Sequence, residues 1–123
     1  MGWKKLRYED DPVNIEKQDL VLGDSVVTPL GADSYYKGSS FSTEGYGKIV
    51  GVAYSDQPSA SGGLKVYQSE DGANWDIRSE FDVEANEGLA FSVEVVAPYA
   101  RIDYYNGPTA QNVFRYYAFT RTI

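Results

Sequence analysis

The sequence predicts an all-β domain, a two-sheet antiparallel β-sandwich of jelly-roll-like kind, and three observations carry that reading. Aromatic residues make up 15% of the chain, eleven of them tyrosines, and twelve glycines accompany them. Tyr, Phe, Trp and β-branched side chains suit a pleated, half-buried surface, and Gly marks the turns between such segments. Short apolar/polar alternations recur between the turn signals, and no stretch longer than about ten residues has helical periodicity. Seven to nine such strands fit one domain of 123 residues, and with no cysteine in the chain the immunoglobulin variant of the sandwich loses ground.

Taken in order, residues 1–20 read as an N-terminal arm and 21–123 as the sandwich. Lys4, Lys5 and Arg7, followed by Glu9, Asp10, Asp11 and Pro12, make either a solvated terminus or an arm that docks on a neighbouring subunit, with Trp3 and Arg7 as its contacts. Val21-Leu22 and Val26-Val27 around Gly23-Asp24 suggest a short hairpin. Tyr35-Tyr36 and Phe41 suggest a strand broken at Lys37-Gly38-Ser39-Ser40. Tyr46 to Tyr54 is a strand that ends in a nine-residue polar loop, Ser55 to Gly63. Leu64–Ser69 and Trp75–Phe81 flank an Asp71-Gly72 turn and form a hairpin. Leu89, Phe91, Val93 and Val95 alternate along the next strand, Ala97-Pro98 turns the chain into Tyr99–Tyr105, and Asn106-Gly107-Pro108 leads to a last strand from Val113 to Arg121.

Alternation also assigns faces, because successive side chains on a strand point to opposite sides. Trp75, Ile77 and Phe81 belong to the core, opposite Asp76, Arg78, Glu80, Asp82 and Glu84. In the last two strands Ala100, Ile102, Tyr104, Phe114, Tyr116 and Ala118 form charge-free inner faces. The outer faces carry Tyr99, Arg101, Asp103 and Tyr105, with Arg115, Tyr117, Phe119 and Arg121. Tyr and Arg are enriched at protein interfaces, so Tyr99, Arg101, Tyr105, Arg115, Tyr117 and Phe119 are candidates for a partner-binding surface. The alternative is that a sheet's outer face simply tolerates scattered aromatics, or that the N-terminal segment covers it.

Composition bounds the chemistry. With no Cys and no His, thiol nucleophiles, imidazole-based triads and the usual zinc ligand sets are missing. A net charge of -7 would repel a polyphosphate, so nucleic acid is not an expected partner. No apolar run approaches a membrane span and no signal peptide is visible, so a membrane is not expected either. Glu80, Asp82 and Glu84 would stand about 6.8 Å apart along a strand, near glycosidase spacing, but on an open face without the burial that raises an acid's pKa. Solvated charge, or a structural calcium ion, is the better reading, and no other cofactor is expected. Gly45-Tyr46-Gly47-Lys48-Ile49-Val50-Gly51 has neither dinucleotide-loop nor P-loop spacing, and a strand follows where a helix N-terminus would be needed.

Ser69-Glu70-Asp71-Gly72-Ala73-Asn74-Trp75 is the most specific local motif. Asp71 can accept backbone N–H groups, Gly72 can supply positive φ, and Trp75 can close the turn, so Ser69, Asp71, Gly72 and Trp75 are read as structural. The motif resembles the turn of discoidin-like and galactose-binding-like β-sandwich modules and a shortened sialidase Asp box. A wider resemblance runs through GKIVGVAYSDQ, LKVYQSEDGANWD, GLAFSVEVVAPYARIDYYNG and AQNVFRYYAF, over residues 47–119. This stretch is similar to a β-sandwich domain of uncharacterised tailed-phage and related viral structural proteins. The resemblance implies a non-enzymatic virion protein, made in the host cytoplasm, that decorates or stabilises a capsid through oligomeric contacts with itself and with capsid proteins. The alternative is a carbohydrate-binding module whose exposed Tyr side chains stack on a glycan.

Overall fold

The computed structural model describes residues 20–122. Trp3 and Arg7, and with them the expected arm, lie outside the described residues. Nine strands follow in chain order: β1 Leu20–Val26, β2 Tyr35–Tyr36, β3 Phe41–Ser42, β4 Lys48–Ser55, β5 Ser59–Ser69, β6 Ile77–Phe81, β7 Leu89–Glu94, β8 Tyr99–Asn106 and β9 Phe114–Arg121. They form two antiparallel sheets. One has four strands in the order β1-β9-β4-β7; the other has the order β2-β8-β5-β6, with β3 also on β8. This is a jelly roll: the pairs β5/β6, β4/β7, β2/β8 and β1/β9 nest outward from one hairpin, and successive pairs alternate between the sheets.

The Asp71-Gly72 hairpin sits at the centre of that winding, with Leu64 opposite Phe81 and Gln68 opposite Ile77. Leu64 and Val66 from β5, Ala100, Ile102 and Tyr104 from β8, and Phe114, Tyr116 and Ala118 from β9 are buried between the sheets with Ile49 and Phe91. The inner faces expected from alternation in β8 and β9 are therefore the observed ones.

Four expectations change. Residues 21–27 are not a hairpin: Leu20–Val26 is one strand with a bulge between Leu22 and Asp24, and Val27 lies just beyond it. Both halves of β1 find partners on β9, and the Asp24 carboxylate accepts hydrogen bonds from the Tyr36 hydroxyl and the Ser39 N–H. The loop after β4 is shorter than nine residues, because β5 begins at Ser59, whose N–H donates to the Val83 carbonyl and whose hydroxyl accepts from the Val83 N–H. Of the three residues expected in the core, Trp75 lies outside β6 and is only half-buried, because the turn interrupts the alternation before it, and Ile77 is exposed at the start of β6, the edge strand of its sheet. The aromatic and Arg residues of β8 and β9 do not share one surface, because β8 lies in the five-stranded sheet and β9 in the four-stranded one. The broken strand at 35–42 is observed: both pieces pair with β8, and between them Gly38 gives its N–H to the Asp103 carboxylate, 3.1 Å away. Any side chain at Gly38 would meet the Ile102 carbonyl at 2.1 Å.

Buried side-chain amides tie the loops to this frame. Gln68 donates to the Glu94 carbonyl and accepts from the Val96 N–H. Gln111 accepts from the Leu30 N–H at 2.8 Å, donates to the Ser55 hydroxyl, and its own N–H donates to the Leu30 carbonyl. Asn106 donates to the carbonyls of Gly31 and Thr109. In each case an amide side chain replaces the strand partner that a buried loop backbone lacks.

Candidate functional site

Two outer faces are the candidates, and the residues expected as one surface divide between them: Tyr99, Arg101 and Tyr105 stand on the five-stranded sheet, and Arg115, Tyr117 and Phe119 on the four-stranded sheet.

On the five-stranded sheet, register places Tyr67 beside Arg101, Lys65 beside Asp103 and Tyr35 beside Tyr105. Arg101 grips Asp103 through two N–H···O contacts of 3.1 Å, from Nε and Nη2. Its guanidinium carbon also lies 4.8 Å from the Tyr67 ring centre and 5.0 Å from that of Trp75. The indole expected in the core thus covers an outer-face arginine. Asp103 is almost fully buried beneath this cover, and its carboxylate also accepts from Gly38. Next to it Lys65 reaches Glu80 at 3.1 Å and Arg78 reaches the same carboxylate oxygen at 2.9 Å. Lys65 also approaches the Tyr105 ring, which stacks on Tyr35 at 5.2 Å and 15°. Tyr35 is 57% exposed and Tyr99 39%. Burial, then the negative charge of Asp103, raises the Tyr105 pKa.

The turn at one end of this face is rigid by hydrogen bonding. Asp71 Oδ1 accepts from the N–H groups of Asn74 and Ala73 at 2.8 and 2.9 Å, and Oδ2 accepts from the Asn74 side chain. The Ser69 hydroxyl accepts from the Gly72 N–H and donates to Asp71. The Asn74 and Ala73 N–H groups, then the Asn74 amide, hold the Asp71 carboxyl far below the usual carboxylate range. Gly72 has φ 79°, which its missing Cβ permits.

The outer face of the four-stranded sheet is different. Val50, Val52, Tyr117 and Phe119 project from β4 and β9, while β7 contributes only Ala90 and Ser92 beside them. The small residues leave a groove of about 430 Å³ among Leu20, Val50, Val52, Ala90, Phe119 and Arg121. A second groove of about 230 Å³ continues it along Val52 and Ala90 to Tyr117 and Arg115. Arg115 lies over the Tyr54 ring at 4.6 Å, and Lys48 pairs with Glu94.

Glu80 and Asp82 are engaged by the protein itself, Glu80 as above and Asp82 by the Gly62 N–H. Among the described residues no three His, Cys, Asp or Glu side chains come together as a metal site would require. Sequence reasoning left out Tyr35, Lys65 and Tyr67 on one face and Leu20, Val50 and Val52 on the other. The alternation Lys65-Val66-Tyr67 was a usable signal, since it puts Lys65 and Tyr67 on one side.

A family model described as the uncharacterised protein YqxG N-terminal domain matches residues 13–121, and the chain belongs to that family. Among solved structures the PBSX exported protein XepA superposes with a TM-score of 0.71 and 22% identity, over 90% of this chain and 39% of XepA. The chain thus spans about two fifths of that protein. The subunit of Bacillus endospore appendages, a family of disulfide-linked pili, gives a TM-score of 0.50 with 10% identity over 86% of this chain and 89% of the other. A family 29 carbohydrate-binding module from Piromyces equi gives 0.47 with 20% identity over 86% of this chain and 80% of the module. No curated protein sequence matches the chain. The first two likenesses establish the β-sandwich fold.

Proposed function

We propose that the chain is a non-catalytic virion structural domain, a capsid-associated decoration or stabilising component, that engages a protein lattice through the outer face of its five-stranded sheet. The observation that carries this reading is the stacked array of Tyr35, Tyr105, Tyr67, Arg101 and Trp75. Trp, Tyr and Arg dominate interface hot spots, and side chains already held by neighbours lose little rotamer freedom when a partner arrives. The similarity of residues 47–119 to viral structural domains supports the setting, and the fold shared with the exported protein XepA agrees with it. Self-association through the same face belongs to the proposal.

A second reading is favoured by one feature of that face. The Tyr35 ring, more than half exposed at the sheet edge, offers a flat surface on which a sugar ring could stack. One experiment separates the two. Purified protein is mixed with capsids lacking it and, in parallel, with a glycan array in the presence of calcium. Saturable capsid binding, weakened at least tenfold (about 1.4 kcal/mol) by Tyr35→Ala or Tyr99→Ala, is the expected result. Saturable glycan binding lost in Tyr35→Ala, with no capsid binding, replaces the structural role with the carbohydrate-binding one.

A further inference from the structure

We infer that the outer edge of β7 is where a second copy of this chain adds, antiparallel, so that the four-stranded sheets of two molecules join into one continuous sheet. A sheet edge offers unpaired N–H and C=O groups to any passing strand, and folded chains ordinarily block such pairing with short strands, bulges or edge charges. Among the described residues the other sheet edges are blocked in those ways. β2 and β3 have two residues each, β1 carries the bulge between Leu22 and Asp24, and β6 presents Arg78 and Glu80. β7 has none of these devices. Its six residues, Leu89 to Glu94, pair with β4 in unbroken register, and its one charged side chain, Glu94, is paired with Lys48.

The ladder fixes which groups are free. The Val95 N–H donates to the Gly47 carbonyl at 2.9 Å, and main-chain groups alternate sides along an antiparallel strand, so Phe91 and Val93 also face β4. Ala90, Ser92 and Glu94 aim theirs away from it. The Glu94 carbonyl agrees with this parity, because it accepts from the Gln68 side chain. The N–H and C=O groups of Ala90 and Ser92 have no partner among the described residues, where β4 is the one neighbour of β7. Antiparallel pairing about Phe91 sets Ala90 of one copy opposite Ser92 of the other, twice, and the two pairs use all of these groups in N–H···O bonds. On the inner face the same register sets Leu89 against Val93 of the second copy, apolar side chains only partly buried at the rim of their own core. On the outer face Ala90 and Ser92 are small enough for the backbones to approach. Glu94 stands opposite Gly88, beside which there is open space, so no like charges meet directly across the seam. A two-fold axis through the Phe91 pair thus makes the edge self-complementary, which singles out a second copy as its occupant.

Sedimentation equilibrium of the full chain should show a monomer–dimer equilibrium. Ser92→Pro removes a free N–H without touching the β4 ladder, and Ala90→Lys sets a charge on the edge. Each should weaken dimerisation at least tenfold with an unchanged circular dichroism spectrum, and Ala90→Lys carries the test if the proline variant folds poorly. The sequence has no cysteine, so the register can be read directly. An equimolar mixture of Ala90→Cys and Ser92→Cys should oxidise to a disulfide dimer at least tenfold faster than either variant alone. Directly opposite residues stand about 5.5 Å apart, and diagonal ones lie beyond disulfide reach. A chain still monomeric at about 1 mM, a dimer insensitive to the edge variants, or a mixture that closes no faster than its components overturns the inference. A dimer lost in Tyr35→Ala and kept in Ala90→Lys overturns it too, and assigns self-association to the five-stranded face. Capsid and glycan binding are read on that other face, so the two proposals fail separately.

Discussion

The two outer faces of the sandwich solve the same problem in opposite ways. The five-stranded sheet carries many charged and aromatic side chains and pairs them with one another: Arg101 with Asp103, Tyr67 and Trp75, and Lys65 with Glu80 and Tyr105. The four-stranded sheet carries Val50, Val52, Phe119 and Leu20 around a trough, with few polar groups within it. The first face satisfies its polar groups internally and can act as a rigid platform; the second leaves apolar side chains such as Leu20 and Val52 about half exposed. Stability should therefore depend on polar atoms in the five-stranded sheet and scarcely at all on those of the four-stranded sheet.

The strongest test of that contrast is Asp103→Ala. It would leave the Arg101 guanidinium, only 16% exposed, without its carboxylate, and would remove the acceptor for the Gly38 N–H. Breaking a buried pair on one side costs about 3–5 kcal/mol. Urea unfolding should show the loss as a lower midpoint at unchanged slope. A midpoint shift of under 1 kcal/mol would mean that the network is decorative and that the two faces do not differ as described.

The same contrast shows what could be read in advance. The β5–β6 hairpin was legible because its turn chemistry is local: Asp71 and Gly72 satisfy it within six residues. The inner faces of β8 and β9 were legible because alternation alone fixes them. Alternation does not say which sheet a strand joins, so Arg101 and Tyr117 looked like neighbours until the winding separated them. Trp75 was misplaced because periodicity was carried through a turn that is not extended. Gln68, Asn106 and Gln111 gave no signal as core residues, since each is buried only by virtue of a backbone group on a distant loop. Of the five-stranded face, Tyr99, Arg101 and Tyr105 were legible from one strand; Tyr35 and Tyr67 needed the register of two others.

Alkaline unfolding comes next in size and tests the layer between the faces. Burial pushes the Tyr104 hydroxyl up to about 12, and burial with the nearby Asp24 and Tyr36 charges raises Tyr116 further. Both groups stay protonated in the folded chain while their unfolded counterparts ionise near pH 10. The folded state then binds more protons, so stability is intact below pH 10 and falls as pH rises above it, by roughly 3 kcal/mol per pH unit for these two groups. Tyr36, which burial and its bond to Asp24 push up to about 12, adds to the fall in the same direction. Thermal melts from pH 9 to 11.5 should drop steeply above pH 10. Trp75→Ala is smaller. The indole is half-buried against Arg101, not a core residue, so its loss should cost about 1–2 kcal/mol, from partial burial and one cation–π contact. A loss above 3 kcal/mol would return Trp75 to the core.

The smallest effect is the sharpest. Tyr116 projects inward from the four-stranded sheet, is fully buried, and its hydroxyl meets no hydrogen-bond partner among the described residues. Tyr116→Phe keeps the ring, which packs 6.0 Å from Tyr36, and deletes only an oxygen that was desolvated without return. Removing an unsatisfied buried group of this kind should leave stability unchanged or raise it by about 1 kcal/mol. It should also remove one of the tyrosine titrations above pH 10, lowering the alkaline slope by about 1.4 kcal/mol per pH unit. Destabilisation by Tyr116→Phe at neutral pH, with the slope unchanged, would mean that the hydroxyl is held after all, and that polar atoms matter as much to the four-stranded sheet as to its partner.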